Sequence, residues 1–212
     1  MEATTVIADG AGLNRRERRK LAVRESIIEA ALGLFDQYGL AETTVAEICE
    51  LADVAEKTFF NHFPTRQHLI RDIAERALGD LFGHIEDARK HRGSCRERLE
   101  VFFRAVAVAS QEAGPMRREL LTEMIHIGHD NGGESDRARR LHDAFAGFVH
   151  DGQRDGVISS KHHLDTATEL ITGAFYSLMF NWVHLDDYPL KRQALRMASI
   201  VADALSAQQV EG

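Results

Sequence analysis

Proline is scarce in this sequence, with three in 212 residues. Proline removes a backbone donor and clashes with the preceding turn, so a chain this poor in it can run through long helices. Cysteine is scarcer still: Cys49 and Cys95 stand alone and far apart, which gives no disulfide framework and no thiolate metal cluster. No apolar run approaches the roughly 20 residues that cross a bilayer. The opening MEATTVIADGAGLN has neither the charged nor the apolar region of a secretory signal. Together these absences predict a reduced, cytoplasmic, all-α protein, with residues 1–14 as a disordered lead-in. Catalytic signatures are missing as well. There is no P-loop, no GxGxxG, no GxSxG, and no carboxylate pair set for acid–base work. The expectation is therefore a protein that is not an enzyme, with no catalytic residues and no cofactor.

The net charge of −7 argues at first against a nucleic-acid partner, but its distribution matters more than its sum. Residues 14–24, NRRERRKLAVR, carry six cations against one anion. A basic arm of this kind can lie along phosphates or reach into a minor groove, with Arg15 and Arg16 leading it. Taken alone, most such runs are solvated helix starts. From about residue 15, Ile27, Ala31, Leu34, Phe35 and Tyr38 recur at helical spacing, and Gly39 closes the helix.

Residues 43–69, TTVAEICELADVAEKTFFNHFPTRQHL, organise the rest of the chain. Val45, Ile48, Leu51 and Ala52 share one face of a short helix. Thr44 stands where it can cap that helix, and Glu47 three residues on completes a capping box. Asp53-Val54 breaks the period, and aspartate tolerates the positive φ of a tight turn. A second short helix over 55–63 turns Phe59 and Phe63 inward and leaves Glu56, Lys57, Thr58, Asn61 and His62 outward. Pro64 stops it, and Thr65 can cap the next helix. Two short helices around a tight turn, the second polar outside, are suited to laying a helix in a DNA major groove. Lys57 can reach a guanine edge or a phosphate, Asn61 can pair with adenine, and Thr58 can meet a phosphate or a thymine methyl.

The run Ile48-Cys49, Ala52 to Ala55, Thr58 to Phe60, His62-Phe63, Arg66 and Leu69, preceded by Ala30-Ala31, Leu34-Phe35, Gly39 and Thr43-Thr44, resembles the N-terminal domain of TetR/AcrR-type repressors. The resemblance covers about residues 24–70. It implies a three-helix helix-turn-helix domain over 15–68, with the motif at about 44–63. A six-helix effector-binding and dimerisation domain would occupy 69–212. It also implies a phosphate-binding role for Thr44. Phe60 stands where the family usually has a tyrosine that binds phosphate through its hydroxyl, so that bond is lost. Arg66 replaces a lysine and keeps the cation, while Ala55 replaces a serine and weakens a cap.

Beyond Leu69, apolar residues at every fourth position (Leu69, Ile73, Ala77, Leu81, Ile85) predict one long helix to about residue 91. Further helices are expected over 94–113, 116–129, 134–155, 165–184 and from Pro189 on, with a loop at 130–133. Apolar residues of the middle helices, Phe102, Phe103, Leu121, Met124, Phe145, Phe148, Phe175 and Met179, are candidates to line a pocket for a lipophilic or aromatic effector; each could equally be plain core. Gly173, Ala174, Ser177, Leu178, Trp182, Leu195, Val201 and Ala202 are the expected dimer face. The resemblance implies a C2 homodimer through the last two helices, which would set two recognition helices on a palindromic operator. It also implies release from DNA by an effector that tilts the long helix.

Eleven histidines invite a metal reading. His126 and His129 lie three apart, His162 and His163 are adjacent, and His142 and His150 stand nearby. No HExxH or CxxC accompanies them, so no metal site is expected. The residues therefore favour a ligand-responsive DNA-binding regulator over a helical adaptor that keeps the fold without reading DNA.

Overall fold

The computed structural model describes residues 14–112, 118 and 133–207, with the side chains of 133–135 and 137 left aside. Among these, eight helices run in order: α1 (Arg15–Tyr38), α2 (Val45–Leu51), α3 (Glu56–His62), α4 (Arg66–Lys90), α5 (Cys95–Glu112), α6 (Gly133–Arg154), α7 (Leu164–His184) and α8 (Leu190–Leu205). The described residues hold no strand, only an isolated bridge between Ile158 and Ser206. Apart from Arg118, which is helical, the helix expected over 116–129 lies outside the described residues, as do 130–132 and 1–13; Gly133, expected in the loop, instead begins α6. Asn14, assigned from the sequence to the lead-in, instead caps α1. Its side chain accepts the N–H groups of Arg16 and Glu17, and the Glu17 carboxylate returns to its own N–H.

The chain divides into two compact units, Met1–Ile70 and Arg71–Gly212. In the first, Ile27, Ile28, Ala31, Phe35, Ile48, Phe59, Phe63 and Leu69 are buried. Two expected core residues are not. Leu51 is 59% exposed and Tyr38 57% exposed, and Cys49 takes an inward place on α2 instead. A seven-residue helix makes less than two full turns, so one step of rotation decides which of its neighbouring residues is buried.

In the second unit α5 packs against α8, and α7 against both α6 and α8. Ser94 and Glu97 form a capping box at the start of α5 through three hydrogen bonds. After α6, Gly156 takes φ +74°, and the chain folds back over the helix end. There Gly152 lets Ile158 approach so closely that an added Cβ would lie 2.6 Å from its Cδ1. Arg89 of α4 holds Asp151 of α6 through Nε at 2.9 Å and Nη2 at 2.7 Å. Arg98 of α5, itself buried, holds Asp155 at 2.8 Å. None of the described helices is long and apolar enough to cross a membrane.

Candidate nucleic-acid interface

Local chemistry builds the helix-turn-helix. Thr44 at the N-cap of α2 accepts the Glu47 N–H at 3.3 Å, while the Glu47 carboxylate takes the Thr44 N–H at 2.7 Å and its hydroxyl at 2.8 Å. These bonds hold the Glu47 carboxyl below its usual range, the backbone N–H contributing most. Asp53 then turns the chain at φ 52°, the one positive-φ residue other than glycine among the described residues. Ala55 caps α3 without a side-chain bond, as its methyl dictates. Thr65 restores a proper start to α4 by accepting the His68 N–H at 3.3 Å.

Behind α3, Phe59 and Phe63 are buried and stand 5.7 Å apart, ring centre to ring centre. In front, Glu56, Lys57, Phe60 and Asn61 are exposed. Phe60 is 46% exposed, and its ring meets the edge of Phe59 at 5.3 Å and 82°, which fixes its direction. An open phenyl beside a lysine and an asparagine can meet a thymine methyl while its neighbours reach polar base edges or phosphates.

Four expected contact residues stand differently from the sequence reading. Thr58 and His62 are half-buried rather than outward. His62 Nδ1 is enclosed without a hydrogen-bond partner. Burial, with Lys20 and Arg24 adding their charge, lowers its pKa. From α1, Lys20 and Arg24 stand close enough to act on the ring, with Arg24 over the neighbouring Phe63. Arg66 is not a free cation either: its Nη2 donates to the Leu40 carbonyl and its guanidinium lies 5.8 Å from the Phe35 ring centre. Thr44 spends its hydroxyl proton on Glu47. Arg15 and Arg16 are exposed at the start of α1.

Lys20 and Arg24 were counted in the basic arm but not named from the sequence as site residues. Arg24 lies 4.7 Å over the Phe63 ring, and both cations act on His62. Their signal was present in the spacing, since Arg16, Lys20 and Arg24 fall four apart on one face of α1.

The second unit sorts the expected effector residues. Phe102, Phe145 and Phe175 close on one another, with ring centres 5.2 to 6.0 Å apart. Phe102, Phe103, Phe145 and Phe148 are therefore packed core. Phe175 and Met179 do line an open space. It is a small recess of about 70 Å³, walled by Ala74, Ala77, Leu78, Leu81 and His84 of α4 and by Val106, Ala109 and Ser110 of α5. Leu121 and Met124 lie outside the described residues, as do His126 and His129. Burial pushes the Cys95 thiol up to about 11, and the Cys49 thiol is also raised, so neither presents a thiolate near neutral pH.

The expected dimer face also divides. Ala174, Leu178, Trp182, Val201 and Ala202 are buried in the chain's own core, with Ala174 and Val201 at the floor of an open groove between α7 and α8. Gly173, Ser177 and Leu195 remain exposed. Leu170, Phe180 and Ile200, none of them among the expected dimer-face residues above, are exposed apolar side chains on α7 and α8.

Residues 27–73 match the model of bacterial regulatory proteins of the tetR family. The domain that spans them is a TetR-type DNA-binding domain. A chain built around such a domain is a DNA-binding transcriptional regulator. This chain is 24% identical over 195 residues to the "Probable acrEF/envCD operon repressor" of Escherichia coli (strain K12), which covers 85% of each chain. In fold it is similar to a TetR transcription regulator from Haloarcula marismortui, with TM-score 0.72 and 20% identity over 88% of this chain and 99% of that one. A second neighbour in fold is Thermus thermophilus FadR, a TetR-family repressor solved with lauroyl-CoA. Its TM-score is 0.61 at 21% identity, covering 89% of this chain and 98% of the other.

Proposed function

We propose that this regulator is a homodimeric repressor that holds a palindromic operator through two copies of α3 and releases it when a small apolar molecule enters the α4–α5–α7 recess. The observation that carries the DNA side is the outer face of α3. Glu56, Lys57, Phe60 and Asn61 are open to solvent on a helix whose other face is anchored by Phe59 and Phe63. Lys57 and Asn61 supply the donors that read base edges, and Arg15, Arg16, Lys20 and Arg24 line α1 with positive charge for the backbone.

A palindrome requires two such faces about 34 Å apart, which a twofold dimer provides. Leu170, Phe180 and Ile200 give α7 and α8 the exposed apolar surface such a dimer would cover. On the ligand side, the E. coli relative is described as a repressor and the Thermus neighbour carries lauroyl-CoA. In this chain α4 holds Leu69 in the core of the first unit and lends five residues to the wall of the recess in the second. A ligand that binds better to a state of α4 with weaker DNA affinity would lower operator occupancy by linkage.

Fluorescence anisotropy on a promoter fragment from beside its own gene tests the reading. The expected result is one dimer per site, with affinity that falls steeply with salt and exceeds that for scrambled DNA. Equal affinity for scrambled DNA would sink the reading in favour of a fold kept for protein contacts.

A further inference from the structure

The walls of the recess between α4, α5 and α7 limit what it can hold. Its lining carries no lysine, arginine, aspartate or glutamate among the described residues; only His84 and Ser110 are polar. Ser110 is 2% exposed, and its hydroxyl donates to Met179 Sδ at 4.0 Å. A thioether is a weak acceptor, so a buried hydroxyl is left with a poor bond at the inner surface of an apolar space. A carboxylate or phosphate placed there would be desolvated with no cation in the described lining to pair with it. A pure hydrocarbon would leave the Ser110 hydroxyl where it is.

We propose that the recess binds an uncharged apolar molecule with one accepting oxygen, of the ketone class, which takes the Ser110 hydroxyl's hydrogen bond from Met179. The assignment rests on the reading of the recess as the effector site. Aryl and alkyl carbon lies against Leu78, Leu81, Val106 and Phe175, and the oxygen points at α5. No bond is made or broken; one weak O–H···S contact is exchanged for an O–H···O bond.

Three small probes of one shape test it by calorimetry on the protein without DNA: acetophenone, α-methylstyrene and benzoate. The ketone is expected to bind about tenfold more tightly than the hydrocarbon, the worth of one hydrogen bond to a buried hydroxyl, with the carboxylate weaker than the ketone. Ser110→Ala should bring the ketone down to the level of the hydrocarbon without lowering Tm. Ala77→Leu, which fills the recess from α4, should weaken ketone and hydrocarbon alike. The proposal is overturned by equal binding of ketone and hydrocarbon, by a preference that survives Ser110→Ala, by undiminished binding in Ala77→Leu, or by no ketone binding at all. Because DNA is absent, a protein that binds the ketone yet keeps its operator would overturn the release mechanism and leave the recess assignment standing.

Discussion

Lys57 and Arg66 are both cations at the edge of the helix-turn-helix, but they do different work. Lys57 is exposed on α3, while Arg66 donates to the Leu40 carbonyl and lies against Phe35. Lys57→Ala is therefore expected to weaken operator binding by about 1–3 kcal/mol if it reads a base, or to lower the salt slope by about one if it meets a phosphate, with Tm unchanged. Arg66→Ala should instead destabilise the fold by about 1–3 kcal/mol, the worth of a charged hydrogen bond with its packing, read as a lower urea midpoint. Equal Tm for the two variants would contradict this division. His62 adds a pH dependence. Burial, Lys20 and Arg24 depress its folded pKa below the ordinary 6.5, so the unfolded chain binds a proton more readily. Its contribution is thus present above about pH 6.5 and is lost as pH falls through the lowered folded value. The urea midpoint should drop between pH 7.5 and 5.5, and His62→Gln should flatten part of that drop.

At the scale of the element, α6 is held by two arginines reaching in from neighbouring helices. Arg98 is buried with Nε and Nη1 unpartnered, so Asp155 is its chief compensation. Hydrogen bonds from Arg98 and then Arg154 hold the Asp155 carboxyl below its usual range. Asp155→Asn is expected to lower Tm at pH 7, because it leaves a buried charge uncompensated. Adding Arg98→Met should restore much of the loss, because replacing a buried pair by apolar volume is often neutral. A double variant no more stable than the single one would contradict this. None of this pairing was visible in the sequence, where Arg98 and Asp155 are 57 positions apart. What could be read was local: caps at Thr44 and Ser94, the turn at Asp53, and the fourfold spacing along α4. Which face of a helix is buried depends on what packs against it. That is why His62, Leu51 and the inner residues of α7 and α8 stand differently from a reading made one helix at a time. Apart from Phe175 and Met179, the walls of the recess escaped for a related reason. Large aromatics such as Phe102 and Phe145 fill space, and the gap opens instead beside small residues (Ala74, Ala77, Ala109) that periodicity marks as ordinary core.

For the whole molecule the question is what covers α7 and α8. Leu170, Gly173, Ser177 and Phe180 recur at spacings of three and four residues, and all are exposed, so they form one stripe along α7. Beside it, an apolar groove runs between α7 and α8, where Leu170, Gly173, Met197, Ile200 and Ala204 meet. Phe180 is 61% exposed and Ile200 66%, large apolar groups that a monomer would leave in water. Small residues between them allow close approach of a second helix, and a twofold axis would set each stripe against its own copy. Phe180→Asp and Ile200→Asp each place a charge in that contact without touching the core, because both side chains point away from it. Each should convert the dimer to a monomer in sedimentation at micromolar concentration and reduce affinity for a full palindrome far more than for a half-site. Trp182→Ala, by contrast, removes a side chain that is 5% exposed and packed inside the chain. Its expected effect is a loss of about 3–5 kcal/mol in stability, read as a lower Tm, with dimerisation changed only through that loss. If Phe180→Asp and Ile200→Asp both sediment as dimers with undiminished operator affinity, the second recognition helix is being held by some other surface and the palindrome argument loses its geometry.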